Sequence, residues 1–147
     1  FRRVLFRSKT VRRHEEVMTA IRIRRRDYEG YTGCYIKYGK RNAMEIATLG
    51  CACLVKLSWD KKVVEDMRIA YGVAAPTPVR CPETEKSVSG QAVSNALLLQ
   101  TGKGVLNEVN PRTSWRASKE FRLQLVEELA KRAMAQAIRN GGGEVDA

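Results

Sequence analysis

The sequence lacks the features on which several classes of protein depend. No apolar run in its 147 residues approaches the roughly 20 residues that span a bilayer. The basic N-terminal stretch is not followed by the apolar segment of a secretory signal. Only one histidine is present, His14, and no serine or cysteine motif accompanies it, so no nucleophilic triad is predicted. We therefore expect a soluble cytoplasmic protein with no membrane partner and no catalytic residue of its own.

Phosphate loops and metal-binding patterns are also missing. Gly102-Lys103-Gly104 lacks the spacing of a P-loop, and Gly141–Gly143 follows the last predicted helix instead of opening one. The four cysteines are Cys34, Cys51, Cys53 and Cys81. Cys51 and Cys53 share one face of a predicted strand, but a zinc site requires a second ligand pair. Buried thiols, and no metal ligands, are the expectation.

The formal net charge of +11 is unevenly distributed. Residues 1–26 hold ten Lys and Arg against two acids, a net charge of +8, which leaves +3 for residues 27–147. Cations and aromatic residues are mixed near the end of the basic region: Arg22, Arg24, Arg25, Arg26, Tyr28, Tyr31 and Tyr35. This mixture is typical of nucleic-acid-binding modules, although no base-stacking motif or groove-reading helix accompanies it. A small basic nucleic-acid-binding module is therefore an alternative interpretation.

The first half of the chain is predicted to form strands. Alternating or continuous apolar residues mark four segments: Glu15–Ile23, Cys34–Tyr38, Ile46–Leu57 and Val63–Val73. The third segment is apolar almost throughout, which predicts a strand covered on both faces. Trp59–Lys62 forms a hairpin turn between the last two strands, and such short connections favour antiparallel neighbours.

The second half is predicted to be helical. Pro82 opens a short helix that ends at Ser89-Gly90, and Ala92–Leu106 forms a second helix interrupted around Thr101–Gly104. The last helix has an apolar stripe at four-residue spacing: Phe121, Leu125, Leu129, Ala133 and Ala137. Ser118 is its predicted N-cap and Asn140-Gly141 its end. Strands followed by helices, with no βαβ alternation, predict an α+β fold.

Two segments carry a resemblance to a known family. Met67–Arg80 begins as an alternating strand and stops at the Pro76-Thr77-Pro78 turn, and Pro111–Arg122 precedes and opens the last helix. Together they resemble the C-terminal domain of the FAD-binding subunit of bacterial xanthine dehydrogenases, which are molybdenum hydroxylases like carbon monoxide dehydrogenase. The resemblance runs from about Val17 to Arg139. It implies an antiparallel sheet of three to four strands packed against about three helices.

The resemblance also suggests domain boundaries. Residues 9–140 correspond to the carbon monoxide dehydrogenase flavoprotein C-terminal-like domain, and residues 141–147 are expected to form a disordered tail. Residues 1–8 match nothing in the family, and Arg3 to Ser8 is what a common sequencing adapter gives when translated. We interpret residues 1–8 as a non-native artefact.

Lys37 and Met18 are the two candidate cofactor-binding residues. Tyr35–Ala47 resembles the family segment in which the lysine matching Lys37 contacts FAD. By sequence alone, a lysine inside a strand is more typical of an edge strand protected against aggregation, and the resemblance favours the cofactor contact. Met18 matches an apolar family residue that lies against the flavin, and its other interpretation is a core methionine.

Arg41 matches the basic position after the lysine. For Trp115, Arg116 and Arg122 we expect structural ion pairs and helix-to-sheet packing.

The resemblance implies a role within a larger oxidoreductase of purine metabolism. In that family a molybdopterin-binding subunit hydroxylates the purine, and electrons pass through [2Fe–2S] clusters to FAD, which reduces NAD. The chain would close the flavin site beside molybdopterin-binding and iron–sulfur subunits, with no nucleic-acid partner. The Gly-rich loops that cradle the FAD pyrophosphate in the family are not in this sequence, so the chain alone is expected to be inactive. Substrate choice belongs to the molybdenum subunit, which leaves an aldehyde or another heterocycle as a further alternative.

Overall fold

The structure is a computed structural model that describes residues 4–6, 9–41 and 44–145. Its strands are β1 (Val4–Phe6), β2 (Lys9–Thr10), β3 (Thr32–Tyr38), β4 (Leu49–Leu57), β5 (Val63–Gly72), β6 (Val79–Arg80) and β7 (Gln91–Ala92). Its helices are α1 (Pro82–Val88), α2 (Asn95–Gly104) and α3 (Lys119–Asn140). Strands β3 to β6 pair in chain order, β7 pairs with β5, and every pairing is antiparallel. The α+β fold is confirmed.

The sheet buries one face and leaves the other uncovered by helices. Along β4 the side chains of Leu49, Cys51, Cys53 and Val55 are fully buried, whereas Leu54 between them is exposed. Successive side chains of a strand point to opposite faces, so this alternation identifies the core side of the sheet. The prediction that this strand is covered on both faces was wrong, because α3 packs on one side only.

Helix α3 supplies most of the second layer. Ser118 begins it by accepting a hydrogen bond from the Phe121 N–H at 3.2 Å, and Gly141 follows its last residue, as predicted. Its buried residues include Val126 and Leu129. The buried Tyr71 hydroxyl in β5 donates to the Val126 carbonyl at 2.9 Å, which fixes the helix to the sheet. Burial of each large aliphatic side chain contributes about 1.5–3 kcal/mol.

Helix α2 continues through Gly102, which was predicted to interrupt it, and ends at Gly104. A Cβ atom at Gly102 would lie 3.1 Å from the Glu127 carbonyl oxygen, because α2 and α3 approach closely there. The glycine thus serves the packing of two helices, and that prediction was wrong. After α2 the residues Val105–Asn107 add one 3₁₀ turn. Helix α1 begins with Pro82 and ends before Ser89, as predicted.

The segment Glu15–Ile23 is not a strand. It pairs with no other strand among the described residues, and Val17, Ile21 and Ile23 are 83%, 78% and 69% exposed. Alternation of apolar residues indicates which faces a strand would have, but a strand also requires a hydrogen-bonding neighbour. The predicted strand was wrong for lack of that neighbour.

The two ends of the chain lie partly outside the described residues. Of the segment 1–8, only Val4–Phe6 are described, and they pair with β2. Of the predicted tail, residues 146–147 lie outside the description. Within it, the Gly143 N–H donates to the Ile138 carbonyl at 3.0 Å, and Val145 packs against the core. No helix among the described residues is long and apolar enough to cross a membrane.

Candidate functional site

Lys37 lies on the uncovered face of β3, the edge strand of the sheet. Its side chain is exposed, and its ammonium group donates a hydrogen bond to the Glu45 carbonyl oxygen at 2.6 Å. An edge position suits a lysine that prevents strand addition, and the uncovered face also leaves the ammonium group accessible to a ligand. The position of Lys37 therefore agrees both with an edge-strand lysine that prevents aggregation and with a cofactor-binding lysine.

The loop after β3 is held by the Glu45 carboxylate. This carboxylate accepts hydrogen bonds from the backbone N–H groups of Lys40 at 2.7 Å and Arg41 at 2.9 Å. These bonds lower the pKa of Glu45, and the bond from the Arg41 N–H makes the largest contribution. Gly39 leaves room for this carboxylate, because a Cβ atom there would lie 1.6 Å from a Glu45 carboxylate oxygen and would displace it. The loop therefore places the Glu45 carbonyl next to Lys37.

Small residues surround Lys37 on the uncovered face. We call this surface the outer patch, and it comprises Tyr35, Lys37, Gly50, Ala52, Ala70 and Gly72. Gly50 stands opposite Lys37 in the β3–β4 ladder and opposite Gly72 in the β4–β5 ladder. A Cβ atom at Gly50 would lie 2.9 Å from the Tyr35 hydroxyl, whereas one at Gly72 would meet nothing within 4 Å. Tyr35 therefore covers the buried Gly50, whereas the backbone of β5 at Gly72 stays open to a planar group.

The outer patch was not predicted from the sequence. Alternation along each strand assigns its members to one face, but only the register brings the two glycines of neighbouring strands together. The glycine in each strand was the available signal, since glycine in a strand often marks close backbone approach.

The other end of the uncovered face is occupied by a polar cluster. Arg68 lies 4.4 Å from the centre of the Tyr31 ring and donates to the Tyr31 hydroxyl at 2.9 Å and the Asp27 carbonyl at 2.8 Å. The Tyr31 hydroxyl also bonds to the Asp66 carboxylate. The pKa of Tyr31 is raised, mainly because the hydroxyl is partly buried and secondly because it bonds to the Asp66 carboxylate. Arg68 and Asp66 thus anchor the chain before β3.

Met18 is not brought to Lys37. Its side chain is 51% exposed, and the shallow pocket that it lines is formed only by residues 16–22 of its own segment. The structure thus neither packs Met18 in the core nor places it in the outer patch.

The two segments that carried the family resemblance line one cavity. Its volume is about 690 Å³, and it lies between the end of β5, the Pro76–Pro78 turn and the start of α3. The lining residues are Ile46, Ala47, Val73, Ala75, Pro76, Thr77, Pro78, Asn110, Pro111, Arg112, Arg116, Lys119 and Arg122. We call it the arginine cavity.

The expected ion pairs of the signature segment are not present among the described residues. Arg122 is buried and donates to the Arg112 carbonyl and, at 2.8 Å, to the Ser114 hydroxyl. Trp115 was expected to pack in the structure but is 81% exposed, with the Arg116 guanidinium 4.5 Å from its ring centre. The predictions of ion pairs and of a packed Trp115 were wrong, because residue types alone do not show which partner a cation meets, whereas Arg122 is buried as a packed residue would be.

Two arginines of the basic region form ion pairs with nearby acids. Arg24 pairs with Asp27 at 3.0 Å, and Arg25 pairs with Glu29 at 2.7 Å. Tyr31 is engaged with Arg68, whereas Tyr28 and Tyr35 are 53% and 65% exposed. The ion pairs reduce the positive charge that this cluster offers to a nucleic acid.

The cysteines form part of the core, as predicted. Cys51, Cys53 and Cys81 are fully buried, and all four thiols are free. Burial raises the pKa of Cys51 to about 12 and that of Cys81 to about 12. Among the described residues no group of three or more His, Cys, Asp or Glu side chains could hold a metal ion.

Comparison with known proteins identifies the family. Residues 34–137 match the CO dehydrogenase flavoprotein C-terminal domain. The chain is 37% identical over 132 residues to the xanthine dehydrogenase FAD-binding subunit of Escherichia coli, an alignment that covers 90% of this chain and 44% of that subunit. It is 30% identical over 108 residues to the glyceraldehyde dehydrogenase medium chain of Sulfolobus acidocaldarius, covering 74% of this chain and 37% of that one. The chain belongs to the CO dehydrogenase flavoprotein C-terminal domain family.

A solved structure shows the same fold. Carbon monoxide dehydrogenase from Hydrogenophaga pseudoflava aligns with a TM-score of 0.70 at 23% identity, over 76% of this chain and 38% of that chain. This chain therefore spans less than half the length of the relatives it matches.

Proposed function

We propose that this chain is the C-terminal domain of a xanthine dehydrogenase-type FAD subunit and that it closes one side of the flavin site. The observation that carries the proposal is the position of Lys37 on an uncovered sheet face beside the glycine pair Gly50 and Gly72. The similarity to subunits described as FAD-binding supports this interpretation.

The outer patch is suited to a flavin ring. The open space at Gly72 leaves the backbone of β5 accessible to a flat group, and Tyr35 supplies an exposed aromatic edge. Lys37 has three N–H donors, one of which is oriented by the Glu45 carbonyl, so two remain for the cofactor. When bound, FAD supplies two-electron transfer, and a fixed cation at Lys37 favours the negative charge of a reduced flavin.

Met18 is the second proposed contact. It belongs to a segment whose apolar side chains, including Val17 and Ile21, are exposed in this chain. Because the relatives are more than twice as long, we propose that other parts of the complete subunit cover this segment and bring Met18 to the flavin.

The role of the complete protein follows from the same proposal. Electrons from [2Fe–2S] clusters in one partner subunit reach the flavin and then NAD, while a molybdopterin-binding subunit hydroxylates a purine in the cytoplasm. The chain alone is inactive, because the loops that hold the FAD pyrophosphate lie in other parts of the subunit. A related substrate, such as an aldehyde, is compatible with the same domain, as the Sulfolobus acidocaldarius relative illustrates by its name.

The test is a pair of lysine substitutions in the complete enzyme. Lys37→Ala removes the proposed flavin contact. Lys56→Ala is the control, because Lys56 also lies on the uncovered face of the sheet but pairs with Glu65 at 3.2 Å. Loss of a charge-assisted hydrogen bond should weaken FAD binding by about ten- to a hundredfold or slow NAD reduction comparably. Turnover with an artificial acceptor that takes electrons before the flavin should persist. Unchanged flavin content and unchanged NAD kinetics in Lys37→Ala would refute the proposal.

A further inference from the structure

Arg68 attaches the turn before β3 to the uncovered face of the sheet. We call residues 24–31 the anchored turn. The Arg68 guanidinium donates to a carbonyl and a hydroxyl of this turn, those of Asp27 and Tyr31, and also lies over the Tyr31 ring. The Asp66 carboxylate bonds to the same hydroxyl from the neighbouring position on this face of β5. Hydrogen bonds from a charged donor and cation–π contacts are directional, so the attachment depends on the shape of Arg68 as well as its charge.

The anchored turn is compact. Arg25–Asp27 form one 3₁₀ turn, and the Tyr31 N–H donates to the Tyr28 carbonyl at 3.1 Å. Gly30 has a φ angle of 78°, which favours glycine, and a Cβ atom there would lie 3.5 Å from the Lys56 side chain of β4. The turn is therefore a defined element that rests on both β4 and β5.

The anchored turn connects two parts of the chain that the function needs in register. On one side is Glu15–Ile23, whose side chains Val17 and Ile21 are exposed and which pairs with no strand among the described residues. On the other side is the sheet that carries the outer patch. Arg68 and Gly72 share the uncovered face and are four residues apart along β5, a separation of roughly 13 Å. Fixing the turn at Arg68 thus fixes the point at which Glu15–Ile23 leaves the sheet.

We propose that Arg68 is a positioning residue, which sets the place of Glu15–Ile23, and of the parts of the complete subunit that cover it, relative to the outer patch. This inference rests on the proposed function, in which those parts complete the flavin site. Arg68 acts through the anchored turn and does not itself contact the cofactor. A site assembled from separate parts loses affinity when the parts are misplaced, so FAD binding depends on this arginine.

The test is amide hydrogen exchange of the complete subunit without FAD, followed by FAD titration, in an Arg68→Met variant. We expect exchange in both residues 24–31 and residues 15–23 to accelerate by at least about tenfold, and FAD binding to weaken by about tenfold. Arg68→Lys keeps the charge but loses the planar fork, so it should restore part of both quantities. Arg132→Met is the matched control, because it removes an exposed arginine that pairs with Glu128 at 2.7 Å on α3, and it should change neither quantity.

The pattern of exchange separates positioning from local support. Acceleration confined to residues 24–31, with normal FAD affinity, would overturn the proposal, and so would unchanged exchange throughout. Faster exchange of residues 15–23 with normal FAD affinity would support the positioning role and contradict the flavin proposal instead. Tyr31→Phe keeps the ring beneath the guanidinium and removes only the hydroxyl bonds. It should show the same pattern at smaller amplitude, which keeps the proposal open to refutation if Arg68→Met does not fold.

Discussion

The Glu45 carbonyl accepts a hydrogen bond from the Lys37 ammonium group at 2.6 Å, so a residue eight positions later in the chain orients this lysine. The orientation depends on the loop that the Glu45 carboxylate closes over Gly39. Lys37 is thus positioned by its own local segment, which would reduce the entropic cost of the flavin contact proposed above.

The first prediction concerns Gly39→Ala. The added methyl group cannot coexist with the Glu45 carboxylate, so the hydrogen bonds to the Lys40 and Arg41 N–H groups should be lost. Amide hydrogen exchange of these two residues should accelerate by about tenfold or more. Gly72→Ala is the control, because its methyl group meets nothing within 4 Å. Unchanged protection in Gly39→Ala would show that the carboxylate does not hold the loop.

The second prediction concerns Gly72→Val on the outer patch. The new side chain enters open space, so the free energy of unfolding should change by no more than about 0.5 kcal/mol. In the complete subunit the same side chain should obstruct a flavin ring and weaken FAD binding by about tenfold or more. Chemical denaturation and flavin titration measure the two quantities separately. Normal FAD affinity in a stable variant would place the flavin elsewhere.

The third prediction concerns Glu85, a buried carboxylate in α1. It accepts hydrogen bonds from the Ile69 N–H at 2.9 Å and from Arg80 Nε at 2.9 Å. Glu85→Ala leaves the N–H group of a central strand unsatisfied, so the free energy of unfolding should fall by about 3 kcal/mol. Glu83→Ala, in the same helix but exposed, should cost less than about 0.5 kcal/mol. Equal effects in urea denaturation would contradict a specific role for Glu85.

The fourth prediction concerns stability at alkaline pH. The pKa values of Cys51 and Cys81 are about 12 in the folded chain, because burial disfavours the thiolate. Unfolded thiols ionise near pH 8.5, so above that pH the unfolded chain holds fewer protons and becomes favoured. Stability conferred by the protonated thiols is complete below about pH 8.5 and is lost progressively up to about pH 12.

Urea denaturation between pH 9 and pH 11 measures this loss of stability with rising pH. Each buried thiol should contribute a loss of roughly 1.4 kcal/mol per pH unit, so Cys81→Ala should show a shallower decline than the unmodified chain. An identical slope would show that Cys81 is not protonated and buried as described.

Local sequence signals predicted the elements that depend on local interactions. The cap at Ser118, the stop at Gly141 and the four-residue apolar spacing together defined α3. The β4–β5 hairpin was predictable because its turn and both strands are contiguous, and the Ser58 N–H bonds to the Val63 carbonyl at 2.9 Å. Such features need only neighbouring residues.

Features that depend on distant partners were not predictable. The segment Glu15–Ile23 alternates like a strand but finds no neighbour among the described residues, and Gly102 is explained only by the approach of α3. The unpartnered Nε–H of Arg122 likewise becomes visible only when the surrounding chain is in place. The family resemblance supplied Lys37 as a candidate, whereas the glycine pair beside it required the register of three strands.

The most direct measurement of the central claim is a crystal structure of the complete FAD subunit with FAD bound. We predict the flavin on the uncovered face of the sheet, with the Lys37 ammonium group about 3 Å from a cofactor oxygen or nitrogen atom. A flavin bound away from this face, with Lys37 bonded only to Glu45 and otherwise surrounded by solvent, would contradict the account.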